Sequence, residues 1–272
     1  MSETSTKLKQ GSKIRLCYID PVSSTEFLPV LCEEFKCMKD SACEIDVISL
    51  RQGLPWDNLE YHSYEALVAA DLIKAVYWAE QEAYDAAIIG CFYDPFLHAA
   101  REVCQSMVLT APCQSSLLCA SQISNKCSII IGRDKWRHCI SDNIQRYGYN
   151  HFVASLKSSN NRVSDYLTDQ PGSLENFISL AQQTIEQDCA ESIILGCSAN
   201  LGMYRELQKH IAVPVIDPAL AALSQAKLAA NNKQLFGWHT SNKHSLEAPW
   251  VDPKAMNYFA DAEQSVGGIL AV

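Results

Sequence analysis

The sequence has no run of apolar residues approaching the roughly 18 that a membrane-crossing helix needs; its longest apolar stretches are strand-sized. No membrane association is expected. Residues Met1 to Ser12 are polar and lack the apolar centre of a secretory signal. They read as a disordered tail, residues 1–12, and the expected location is cytoplasmic. Positive charge is also scarce. Against 31 acidic residues stand 22 lysines and arginines, a net charge of -9, and they form no basic cluster. A surface that tracks phosphates needs such a cluster, so nucleic acid is not an expected partner. There is no C-x-x-C pair, no G-x-G-x-x-G turn, no P-loop and no H-E-x-x-H segment. These absences argue against a structural zinc, thioredoxin-like redox chemistry, dinucleotide binding and zinc hydrolysis. No metal and no organic cofactor is expected, and Gly267-Gly268 lacks the context of a phosphate loop.

The chain does have an ordinary globular balance, 48% hydrophobic and 19% charged over 272 residues, enough for one large α/β domain or two modest ones. Twelve cysteines without a secretion signal are expected to stay free thiols. Most are expected to pack as small hydrophobes, Cys17, Cys127 and Cys189 among them. Strand-like apolar runs occur at Lys13–Asp20, Cys43–Leu50, Asp85–Cys91, Met107–Ala111, Cys127–Ile131, His151–Ser155, Ser192–Gly196 and Val213–Ile216. Helical patterns alternate with them. One follows Asp20-Pro21 and runs to about Met38. Another spans Ser63–Glu82, with Ala66, Leu67, Ala70, Ile73, Val76 and Tyr77 on one face. Others cover Asp134–Tyr147, Ser173–Asp188, Ala199–Ile211 and Pro218–Asn231. This alternation predicts parallel sheets covered by helices on both faces.

The two halves echo one another. Tyr84-Asp-Ala-Ala-Ile-Ile-Gly-Cys91 is followed by a helix and then Val108-Leu-Thr-Ala-Pro112; Ala190-Glu-Ser-Ile-Ile-Leu-Gly-Cys197 is followed by a helix and then Ala212-Val-Pro214. Any α/β chain repeats strand and helix, but that alone does not place a Gly-Cys at the same corner twice. Ligands of parallel sheets bind outside the carboxyl ends of the strands, where both cysteines fall. A helix starting just beyond each one would favour the thiolate and lower the thiol pKa. Two opposed thiols suit inversion of a carbon stereocentre next to a carbonyl. One removes the α-proton, the other delivers a proton to the opposite face, and backbone N–H groups hold the enolate. Asp94 is expected to cap the helix after Cys91, and Asp217 the one after the second short strand.

These segments resemble the aspartate/glutamate/hydantoin racemase superfamily, and within it the hydantoin and allantoin racemases. The stretch Tyr84 to Glu102, containing Cys91-Phe-Tyr-Asp-Pro-Phe-Leu97, is similar to their first cysteine segment. Ile193–Asn200 and Val213-Pro-Val-Ile-Asp-Pro218 are similar to the second, and Gly237-Trp-His-Thr-Ser-Asn-Lys243 to their C-terminal stretch. The resemblance implies two similar Rossmann-like α/β lobes with parallel sheets and the active site in the cleft between them. The first lobe would hold residues 13–112 plus 218–272, the second 113–217. It implies Cys91 and Cys197 as catalytic pair, and Pro21, Val22 and Ser23 of the first loop in substrate binding. Phe92 and Ser198 would help hold a carbonyl or carboxylate. Tyr93, Ala199 and His239 are further candidate contacts. The implied enzyme is a cofactor-independent racemase or epimerase acting on a small molecule, and a homo-oligomer stays open. A decarboxylase-like lyase, a maleate-isomerase-like cis–trans isomerase and a non-catalytic ligand-binding homologue are the alternatives. Several recognition positions differ from the family pattern. Asp20 and Val22 replace an Asn pair, Phe96 replaces a glycine, and Cys197-Ser-Ala-Asn200 replaces C-A-G-M. Hydantoin or allantoin is therefore not carried over as substrate. Trp56, Phe92, Tyr93, Phe96 and Trp238 point to a more apolar or aromatic ligand.

Overall fold

The computed structural model describes residues 13–22, 25, 27–51, 58–252 and 254–272. In chain order the elements are β1 Ile14–Asp20, α1 Leu28–Phe35, β2 Cys43–Leu50, α2 His62–Gln81, β3 Ala86–Ile89, α3 Leu97–Glu102, β4 Val108–Thr110 and α4 Pro112–Ser121. There follow β5 Cys127–Ile131, α5 Arg137–Arg146, β6 Val153–Ser158, α6 Asp165–Thr168, α7 Gln170–Asp188, β7 Ser192–Leu195, α8 Met203–Leu207, β8 Val215–Ile216, α9 Pro218–Phe236, α10 Ala255–Tyr258 and β9 Val266–Ala271. The fold is α/β with parallel-dominated sheets. One sheet has the order β4-β3-β1-β2-β9, the other β6-β5-β7-β8. Leaving β9 aside, both halves use one plan: the first strand sits between the second and third, with the fourth outside the third. All pairings are parallel except β2 with β9, which is antiparallel.

Each sheet is buried on both faces, because β1, β3, β5 and β7 are apolar in both registers. Cys17, Ile19, Ala87 and Ile89 face one core with α2; Leu16, Tyr18, Ala86 and Ile88 face another with α1 and α9. The second sheet divides its strand residues in the same way. Helix α9 comes after the second sheet in sequence yet packs on the first.

Several sequence expectations need correction. The buried face of α2 is Val68, Leu72, Ala75, Val76, Tyr77 and Ala79, whereas Ala66, Leu67 and Ala70 are exposed. Small alanines fit either face, so the 3.6-residue period alone misplaced the stripe. The helix expected over Ala199–Ile211 is only the five residues of α8, preceded by a turn. Helix α1 starts at Leu28, not in the Asp20–Thr25 stretch. Helix α4 and strand β9 were not foreseen. Gly267-Gly268 lies in β9, where a Cβ on Gly267 would come 2.2 Å from the Leu50 carbonyl oxygen. Cys189 is exposed at the end of α7, in a left-handed conformation.

Asp94 does not cap α3. It reaches instead to α4, accepting from the backbone N–H groups of Cys113 (2.8 Å) and Gln114 (2.9 Å), and from the Tyr147 hydroxyl (2.8 Å). The α4 N-cap residue is Ala111, which has no side chain to cap with. Asp217 does cap its own helix, accepting from Ala219 and Leu220. Replacing Asp94 by Ala leaves two helix-start donors and a buried hydroxyl unpaired. The expected loss is about 2–4 kcal/mol, measured by urea denaturation, with Asp94→Asn losing less.

Candidate active site

The two cysteine corners have the same local plan. In each half the third strand ends at a glycine, and the cysteine comes next: Gly90-Cys91 after β3, Gly196-Cys197 after β7. A left-handed residue follows five positions on, Phe96 (φ 55°) or Gly202 (φ 73°), and a short helix starts one position later. Gly202 accepts that conformation without cost, whereas Phe96 carries strain that its packing on the first core offsets. Both corner glycines are sterically required. A Cβ on Gly90 would lie 2.4 Å from the Tyr18 ring, and one on Gly196 would lie 2.8 Å from the Ile130 carbonyl oxygen.

Cys91 and Cys197 line one cavity of about 670 Å³, counting its open mouth, between the carboxyl ends of the two sheets. Both are free thiols. The Tyr93 backbone N–H faces the Cys91 sulfur and the Ala199 N–H faces that of Cys197, each favouring the thiolate. The amide two positions past each cysteine thus serves its sulfur. Burial nevertheless dominates. It raises the Cys91 thiol well above the ordinary range, and the nearby Cys197 adds to this. Burial likewise pushes Cys197 up to about 12. The expected lowering by helix N-termini does not occur, because α3 and α8 begin six residues beyond the sulfurs and are short. Both thiols are therefore neutral at rest.

Of the other expected site residues, Pro21, Val22, Phe92, Tyr93, Ser198 and Ala199 also line this cavity. Ser23 and Trp56 lie outside the described residues. His239 does not line the cavity: it is exposed, with Nδ1 at 2.8 Å from the Thr240 carbonyl oxygen. Trp238 is 65% exposed and Phe96 packs into the first core, so neither forms an aromatic wall. Trp136 does line the cavity, edge-on to Tyr93.

The structure adds polar groups. Tyr18 and Asp20, two apart on β1, point to one side and line the cavity floor; Tyr18 Oη and Asp20 Oδ2 are buried without hydrogen-bond partners. Ser198 Oγ lies near the Tyr18 hydroxyl but forms no bond with it. Burial pushes the Asp20 carboxyl up to about 8, so near neutrality it is a protonated acid offering donor and acceptor together. The period-2 alternation of β1 was the signal that could have grouped Tyr18 with Asp20. Glu60 closes the side of the cavity. It accepts from the Val163 N–H (2.9 Å), and its other oxygen lies 3.5 Å from Arg133, tying the chain before α2 to the second sheet. Asn143 of α5 donates to the Tyr93 carbonyl (2.5 Å), holding the loop after Cys91. Among the described residues no lysine, arginine or histidine lines the cavity.

A model of the Asp/Glu/Hydantoin racemase family matches residues 16–226, and the chain belongs to that family. A hydantoin racemase from Paenarthrobacter aurescens is 29% identical over 237 residues, covering 87% of this chain and 98% of its own. An allantoin racemase from Klebsiella pneumoniae is similar in structure, with TM-score 0.78 and 24% identity over 87% of this chain and 94% of its own. A second, from Pseudomonas fluorescens, gives TM-score 0.76 and 20% identity over 87% and 97%. These two structural likenesses speak for the fold.

The electrostatics predict two outcomes. The Asp20 carboxyl, raised from 3.8 to about 8, contributes stability below pH 4 that is lost as pH rises toward 8. Asp20→Asn should therefore raise Tm by several degrees at pH 8 and by little at pH 4, as followed by scanning calorimetry. With both thiols raised, alkylation of Cys91 and Cys197 by iodoacetamide should be slow at pH 7 and rise about tenfold per pH unit up to pH 10. Peptide mapping that found rapid, pH-independent labelling would contradict this assignment.

Proposed function

We propose that this protein is a racemase or epimerase that inverts a carbon stereocentre next to a carbonyl, with Cys91 and Cys197 as interchangeable acid and base and without a cofactor. The observation that carries this reading is the equivalence of the two thiols. Both sit at the same corner of a repeated half, line one cavity, and face an amide two residues further along. A decarboxylating site needs one such group, not a matched pair.

In the reacting form one sulfur is a thiolate and the other a thiol. The thiolate takes the α-proton from the face it meets, leaving an enolate. The opposite thiol then protonates the other face, so the two exchange roles with each turnover. The α-carbon is a far weaker acid than a thiol, and the enolate oxygen needs fixed donors. Among the described residues, the protonated Asp20 carboxyl, the hydroxyls of Tyr18 and Ser198 and the Trp136 indole N–H are unpartnered donors on residues that line this cavity. Asp20 in that state supplies what an asparagine would, which removes the main chemical objection to a cyclic amide substrate.

The reacting end of the substrate is taken to be uncharged. Among the described residues no cation lines the cavity: Arg133 is paired with Glu60 and Asp20 has no cation beside it, so a dicarboxylate would find no free charged partner there. A hydantoin-like ring is the class that satisfies both this and the hydantoin racemase likeness.

The two thiols give separable half-reactions. Cys91→Ser and Cys197→Ser should each lower racemisation by about 10²–10⁴-fold. Each should keep slow α-deuterium uptake on one enantiomer of 5-methylhydantoin, the two variants preferring opposite hands, as read by NMR in D2O. A serine variant that racemises at the wild-type rate removes that cysteine from the mechanism.

A further inference from the structure

Beside the reacting cavity lies a second pocket, and the two share Phe27, Ala199 and Leu201 as walls. It is a cleft between α1 on one side and α6, α7 and the turn before α8 on the other. At its base is Asn200, 2% exposed, with neither Oδ1 nor Nδ2 hydrogen-bonded. The Tyr166 ring, 3% exposed, directs its hydroxyl toward Ser159 and Asn200, yet it forms a hydrogen bond with neither. Buried amides and hydroxyls left without partners are costly and rare, so this pair calls for an explanation.

The repeat removes the structural one. Asn200 stands three residues after Cys197, as Asp94 stands three after Cys91. Asp94 is buried and occupied, holding the start of α4. In the second half that task belongs to Asp217, which caps α9 and also approaches the Gly202 N–H. Asn200 is therefore left without a capping role. Its backbone N–H donates to the Cys197 carbonyl (3.2 Å), which keeps its side chain within one turn of the reacting sulfur. The charges around the pocket are already neutralised: Arg205 pairs with Glu34 across the cleft, and Glu206 with Lys209. What remains is a neutral set of donors and acceptors, to which an ionic group would bring an uncompensated charge.

Building on the racemase reading, we infer that this second pocket receives the end of the substrate's α-substituent, and that Asn200 with Tyr166 selects a neutral carboxamide or ureido terminus. An amide or urea matches a side-chain amide donor for acceptor, and the tyrosine hydroxyl completes the set. A site built this way discriminates against an apolar chain of equal length, because the chain would leave the same groups unpaired.

Three probes test this: 5-methylhydantoin, 5-butylhydantoin and 5-(3-ureidopropyl)hydantoin. Wild type, Asn200→Ala and Tyr166→Phe are compared by calorimetric Kd and by deuterium uptake at C5. Wild type should bind the ureido compound about tenfold or more tighter than the butyl one. In Asn200→Ala that ratio should fall to about one, and in Tyr166→Phe it should fall part of the way. Equal affinities in wild type overturn the proposal, as does a loss in Asn200→Ala of the same factor for all three probes. If Asn200→Ala does not fold, Tyr166→Phe decides by the same ratio. Deuterium uptake separates the two readings. Uptake without the affinity ratio sinks only the pocket assignment, whereas the ratio without uptake upholds the pocket and sinks the racemase reading.

Discussion

The architecture turns on a steric constraint met twice: the backbone just before each cysteine touches a neighbour so closely that only glycine fits. At Gly90 the neighbour is the Tyr18 ring; at Gly196 it is the Ile130 carbonyl. In both cases the neighbour belongs to the first strand of its own half, β1 or β5, beside which the third strand lies. That contact places the cysteine at the seam where the crossovers on either side diverge, the usual site of ligand binding in parallel sheets. Tyr18 is held there for the same reason. Its ring covers the glycine and packs at a tilt against Phe35, centroids 4.8 Å apart, and this delivers its hydroxyl to the cavity.

The buried surroundings that make the site also set its resting state. Burial raises Cys91, Cys197 and Asp20 together, so each is expected in its neutral form at neutral pH. A neutral cavity costs less to form than one holding three anions, and its carboxyl and hydroxyl protons then act as donors. The amides at Tyr93 and Ala199 work in the opposite direction. Symmetry at the sulfurs does not extend to their supports. The loop after Cys91 is fixed by Asn143, Tyr147 and the Asp94 cap, whereas the turn after Cys197 leaves Asn200 unbound.

Much of this was legible in the sequence because it rests on local patterns. Strand β5 matches its apolar run residue for residue, and β2 does likewise. The Gly-Cys echo named the corners, and six residues that the family resemblance added, Pro21, Val22, Phe92, Tyr93, Ser198 and Ala199, share the cavity with the cysteines. What failed rests on distant contacts. His239 sits in a family-like motif, but its chain segment runs along Gln105–Met107, which accept from Asn242 and Thr240, away from the cavity. Asp94 was read as a local cap because nothing in the sequence shows that the helix starting after Ala111 takes its cap from seventeen residues upstream. The thiol pKa values were misjudged because burial depth is a property of the packed cavity, not of a motif. Strand β9, rich in glycine and largely exposed, carries no strong strand signal and is defined by its pairing with β2.

The antiparallel pairing of β9 with β2 bears on how the molecule is assembled. The second sheet draws all four strands from one continuous stretch, Cys127 to Ile216, and can close as soon as that stretch is available. The first sheet cannot. Its covering helix α9 and its edge strand β9 come after the second sheet in the chain, although its other strands come before it. During synthesis β1 to β4 must wait with the face that α9 later covers shielded by α1 alone while the later sheet is made. The half that begins the polypeptide is the half completed last, and a ribosome-bound chain would pass through a stage with one finished sheet and one unfinished one.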